Sequence, residues 1–154
     1  MSLTRRSLLV AALAIPVAGT ILRPAAAAEP EIFATRGVAI QGYDPVAYFT
    51  EGRAVPGAPE HALMWHGATW HFATEATMEA FEMNPQAYAP QYGGYCAYAM
   101  AKGAVATTVP EAFTVVDGRL YLNNSLPVRS VWSEDIPGNV ARADANWPRV
   151  LDAK

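Results

Sequence analysis

The chain has 154 residues with 11 basic and 14 acidic side chains, a formal charge of −3, and 52% hydrophobic residues. Its basic residues are scattered singly, which excludes the clustered positive surface that nucleic acid or anionic lipid requires. Cys96 is the only cysteine, so no intrachain disulfide exists and the core must hold by packing alone.

The first 28 residues have the three parts of a bacterial export signal: the pair Arg5-Arg6, an apolar run over residues 8–17, and the small-residue end Ala26-Ala27-Ala28. The run is shorter than the roughly 20 residues of a membrane-spanning helix. Pro16, Gly19 and Arg23 interrupt the segment, so a cleaved signal is expected and a permanent anchor is not. Adjacent arginines directly ahead of Ser7-Leu8-Leu9 read as a twin-arginine address. The twin-arginine export machinery is then a partner, and the periplasm the destination. Cleavage after Ala28 removes Arg5, Arg6 and Arg23 and no acidic residue, which leaves residues 29–154 as a single, more acidic domain.

In that domain, residues 29–36 read as a lead-in and residues 38–40 as a brief strand. Asp44-Pro45 supplies a cap and a first-turn proline for a short helix through Phe49. Residues 51–59 read as a loop, and His61 just beyond it, with no partner in sight, reads as loop too. Residues 63–72 read as a hairpin around Gly67-Ala68, which pairs Trp65 with Trp70, Leu63 with Phe72 and Met64 with His71. The period of two then turns Leu63, Trp65, Trp70 and Phe72 to the core and Met64, His66, Thr69 and His71 to the opposite face.

Thr74 caps a helix that ends at Asn84-Pro85. Tyr92-Gly93-Gly94 is a turn, and residues 95–102 form a short apolar helix that buries Cys96 or sets it at a helix N-terminus. Phe113–Val116 and residues 120–123 make a second hairpin around Asp117-Gly118. Ser125 and Pro127 open a helix to about Glu134, and residues 135–138 break it before a last helix that reaches Trp147. The expected class is α+β: a small antiparallel sheet of two hairpins covered on one face by several short helices.

Four ordered blocks resemble the YHS domain family, and in particular its exported branch. They are Gly42-Tyr43-Asp44-Pro45-Val46-Ala47-Tyr48-Phe49, Gly67-Ala68-Thr69-Trp70-His71-Phe72-Ala73, Asn84-Pro85-Gln86-Ala87-Tyr88 and Tyr92-Gly93-Gly94-Tyr95-Cys96-Ala97. The resemblance runs over residues 38–148. Better understood members resemble small metal-binding modules with thiolates after Asp-Pro-Val and after a phenylalanine. Here Ala47, Ala73 and Thr77 stand at those positions, and none of them can replace a thiolate. The family's usual metal site is therefore not implied for this chain.

Two kinds of site are open. Met64, His66 and His71 share a predicted hairpin face, and thioether with imidazole suits copper or another transition metal, with Cys96 joining if its helix packs there. The plainer reading leaves the histidines on a solvated strand face. A binding module for a small ligand or protein partner, lined by Tyr43, Asp44, Tyr92, Tyr95 and Cys96, would combine aromatic stacking with a carboxylate and close backbone approach at Gly93-Gly94. Its plainer reading uses Asp44 as a cap and Cys96 as a small buried hydrophobe. An enzyme is the least supported class: no Gly-x-Ser-x-Gly elbow, His-Glu-x-x-His helix or glycine-rich phosphate loop is present. No catalytic residue is assigned, and Cys96 with His66 or His71 is the one nucleophile pair conceivable on paper. The sequence reading is an exported, non-enzymatic binding protein.

Overall fold

The computed structural model describes residues 27–152, so residues 1–26 of the expected export signal lie outside the described residues. In chain order the elements are β1 (Ala34–Thr35), β2 (Val38–Ala39), α1 (Ala47–Thr50), β3 (Ala58–Trp65), β4 (Ala68–Phe72), α2 (Glu75–Met83), α3 (Pro85–Tyr88), α4 (Ala97–Ala101), β5 (Phe113–Val116), β6 (Arg119–Leu122), α5 (Leu126–Ser133) and α6 (Ile136–Asn146). The α+β class is as expected. The sheet differs from expectation: β1-β2-β4-β3 form one four-stranded sheet and β5-β6 a separate pair. Strand β2 also runs parallel to β4, through Val38 opposite Thr69. The Thr69 amide donates to the Gly37 carbonyl at 2.9 Å, so a two-residue strand is held beside β4 by backbone pairing.

The turn of the first hairpin lies one residue earlier than expected. Trp65 pairs with Ala68, Met64 with Thr69, Leu63 with Trp70 and Ala62 with His71. The two turn residues are therefore His66 and Gly67, both left-handed, at φ 47° and 77°. A two-residue hairpin turn of this hand favours glycine at its second position, and histidine tolerates the first better than most residues. Because the slip moves each partner by two, the faces survive. Ala68, Trp70 and Phe72 are buried, while Met64 and His71 lie on the other side. His66 leaves both faces for the turn. His61, expected in a loop, lies within β3.

Local chemistry explains the helices. Thr74 accepts from the Thr77 amide while Thr77 reaches back to the Thr74 amide, a reciprocal cap that opens α2. Ser125 caps α5 and Asp135 caps α6. Residues 135–138, expected as a break, are also the first turn of α6, with Pro137 near its start where no intrahelical donor is lost. Helix α4 is shorter than expected, and Cys96 stands at its N-cap position.

Strand β6 is the wall between two cores. Its period of two sends Leu120 and Leu122 into one cluster with Tyr48, Trp70, Phe72 and Phe81, and Tyr121 into another with Tyr92, Tyr95, Met100 and Trp132. Two turns on the rims of these cores are left-handed for three residues running: Ile40-Gln41-Gly42, at φ 48°, 52° and 85°, and Tyr92-Gly93-Gly94, at 56°, 61° and 85°. For β-branched Ile40 this conformation costs about 1–3 kcal/mol. The buried Ile40 side chain, packed in the first core, supplies an offset of similar size. Among the described residues no helix is long and apolar enough to cross a membrane.

Candidate functional site

The hairpin turn brings His66 against the lead-in segment. Its Nδ1 lies 3.1 Å from Glu31 Oε2, and its ring packs on Trp65 with centroids 4.1 Å apart. A proton on Nδ1 facing the carboxylate leaves Nε2 as the nitrogen with a free lone pair. Glu31 is held there by the second left-handed turn. The Phe33 amide donates to the Gly93 carbonyl at 2.9 Å, and a Cβ at residue 93 would come within 1.8 Å of the Glu31 carbonyl oxygen. Only glycine lets the two backbones approach so closely.

Between these elements is a cleft of about 160 Å³, with Glu31, His66, Gln86 and Gln91 as polar lining and Trp65 and Trp147 among its walls. The side chains of Gln86 and Gln91 make no hydrogen bond with other described residues. The cleft lies where the two cores meet: Ile32 and Trp65 belong to the first, Tyr92 and Trp147 to the second. It offers an oriented imidazole nitrogen and two free amides in a small, mostly polar cleft edged by Trp65 and Trp147. A ligand with both donors and acceptors finds complementary groups there.

The four residues read as a metal set are not brought together. Met64 is 70% exposed, and its sulfur accepts from the Thr69 hydroxyl at 3.9 Å. His71 stands on the outer sheet face above Gly42. Cys96 is buried in the interior, its thiol directed to Asn123 Oδ1 at 3.6 Å. Among the described residues no group of three or more His, Cys, Asp or Glu side chains is placed to hold a metal ion. The donors present do not fit a copper or other transition-metal ion held by this chain alone. Nor does Cys96 pair with His66 or His71 as a nucleophile and base would.

The five residues read as a ligand pocket are likewise divided. Asp44 is fully buried. Its Oδ1 accepts from the amides of Val46 at 2.8 Å and Ala47 at 3.4 Å, and its Oδ2 from the Ala73 amide at 2.8 Å. It therefore closes the turn that leads into α1, which starts later than expected, after Val46, and ties that turn to the end of β4, which spends its acceptors on the backbone. Tyr43 packs on the first core and donates to Glu111 Oε1 at 3.2 Å. The Glu111 charge raises its phenol pKa. Tyr95 belongs to the second core and donates to the Pro30 carbonyl at 2.8 Å. Tyr92 alone of the five lines the His66 cleft. Its hydroxyl donates to Asp144 Oδ1 at 2.9 Å, and burial followed by that hydrogen bond keeps it protonated well above the ordinary phenol range.

Sequence reasoning found His66 and Tyr92 but put them in different sites. Glu31 gave no signal, because a single acid in a lead-in has no periodicity to read. Gln86 and Gln91 are ordinary polar surface residues in sequence. Comparison with curated proteins and with solved structures gives no match. The YHS domain family model matches residues 46–92, the span from the first turn of α1 to Tyr92, and so a YHS domain is detected in the chain.

Proposed function

We propose that the chain is exported by the twin-arginine route to the periplasm and acts there as a binding module, residues 29–154 taking a small polar ligand in the cleft beside His66. Export rests on Arg5-Arg6, the apolar run and the alanine end that follow one another in residues 1–28. Binding rests on one observation above all: an imidazole paired with a carboxylate lines one cleft with two side-chain amides that have no partner among the described residues. The cleft is smaller than the ~300 Å³ at which pockets for drug-sized ligands begin, so its ligand has few heavy atoms.

A second reading, copper or another transition metal at His66, has one observation in its favour. A carboxylate on the far nitrogen is the arrangement that orients metal-ligating histidines. The remaining donors would have to come from outside the chain. Native mass spectrometry of the untagged protein recovered from the periplasm, run beside elemental analysis, separates the readings. The proposal expects a bound small molecule that is lost in His66→Ala. One metal ion per chain lost in His66→Ala would favour the second reading, and neither molecule nor metal would overturn both.

A further inference from the structure

The sheet face turned away from the core carries a second, separate groove of about 480 Å³, lined by Thr35, Arg36, Val38, Gln41, Gly42 and His71. Its construction is specific. Arg36 sits with Gly37 in the left-handed turn between β1 and β2. The parallel pairing of β2 with β4 sets that turn beside His71. Gly42 closes the floor: a Cβ there would stand 3.2 Å from His71 Nδ1. Gln41 is fixed at the rim by its Nε2, which donates to the Thr108 carbonyl at 2.9 Å.

The Arg36 and His71 side chains in this groove are unpaired among the described residues. Arg36 and His71 make no hydrogen bond, ion pair or ring contact with any described residue. The other described arginine and lysine side chains are all engaged. Arg53 and Arg142 pair with carboxylates, Arg129 and Lys102 lie over aromatic rings, Arg119 meets the Tyr121 hydroxyl, and Arg149 donates to the Ala145 carbonyl. No carboxylate lines the groove, although the chain has 14 acidic residues. An acidic protein that leaves a guanidinium and an imidazole free in one concavity has a site complementary to an anion.

We propose that this groove binds a small oxyanion, the carboxylate or phosphate group of a small molecule, with the Arg36 guanidinium as its main donor and His71 as the second. The site is independent of the His66 cleft and stands whether or not that cleft binds anything.

The test is a titration of the uniformly 15N-labelled mature protein with inorganic phosphate and, separately, with succinate, at constant ionic strength. Amide signals of Gly37, Gln41 and Gly42 and the ring signals of His71 should move together and saturate with at least one of the two probes. Which probe binds more tightly tells phosphate from carboxylate. Arg36→Gln should weaken that binding about tenfold, and His71→Gln should weaken it less. Arg53→Gln, which removes an exposed arginine paired with Glu51, should leave it unchanged. Saturation by neither probe would overturn the proposal. So would shifts scattered over the surface and equal in Arg36→Gln and Arg53→Gln, an outcome the wild-type spectra already reveal if Arg36→Gln disturbs its turn.

Discussion

His66 and His71 belong to one hairpin yet meet opposite surroundings. At the turn, His66 faces Glu31 at 3.1 Å and has Trp65 beneath its ring. On the outer sheet face, His71 has no partner and shares its groove with an equally free Arg36. The same side chain is thus oriented by a carboxylate in one place and left to complement an anion in the other. A residue type names a chemistry, but the groups that the fold brings to it decide which chemistry is available.

The comparison breaks most sharply at the two left-handed turns behind the sites. Gly93→Ala would drive a Cβ into the Glu31 carbonyl and should cost about 3 kcal/mol in urea unfolding, with loss of binding in the cleft and none in the groove. Gly42→Ala meets only the edge of the His71 ring, at 3.2 Å. It should cost about 1–2 kcal/mol, mostly from its left-handed backbone, and should disturb the groove alone.

The fold as a whole also has an alkaline limit, to which Tyr92 of the cleft contributes. Burial holds the phenols of Tyr48 and Tyr92 protonated beyond their ordinary range. Above about pH 10 unfolding therefore releases protons, and each such phenol removes up to about 1.4 kcal/mol of stability per pH unit. Tyr92→Phe should flatten that fall in thermal unfolding between pH 9 and 11 (a window of about one unit either side of the free phenol value). Glu31→Gln should change stability by less than about 0.5 kcal/mol, because both partners are well exposed to solvent. It should nevertheless weaken ligand binding in the cleft about tenfold by releasing His66, as read from the His66 ring signals. Smallest of all, Met64→Ala should alter neither site nor stability measurably, since its side chain stands in solvent.

Much of the scaffold was legible because it is local. Thr74 and Ser125 announced their helices, and Asp117-Gly118 announced its hairpin, through short-range hydrogen bonds that depend only on neighbours in sequence. The hairpin at His66-Gly67 was misplaced by one position because glycine was centred in the turn rather than set at its second residue. The parallel contact of β2 with β4 was hidden, since a two-residue strand gives no periodicity and its partner is far along the chain. The sites were less legible for the same reason. Period two put Met64 and His71 on one face correctly, but the turn took His66 off it, and Glu31 and Arg36 reach the histidines only through tertiary packing. Cys96 was readable as buried or as helix-terminal, and it is both.

The account rests on His66 acting apart from Met64, His71 and Cys96, and metal content tests that most directly. The untagged mature protein would be loaded with Cu(I), Cu(II) and Zn(II), freed of excess, and analysed beside His66→Ala, His71→Ala and Cys96→Ala. The account predicts that neither His71→Ala nor Cys96→Ala changes the metal retained by the wild type. One metal ion per chain, lost in all three variants, would show a shared centre that contradicts the arrangement described above.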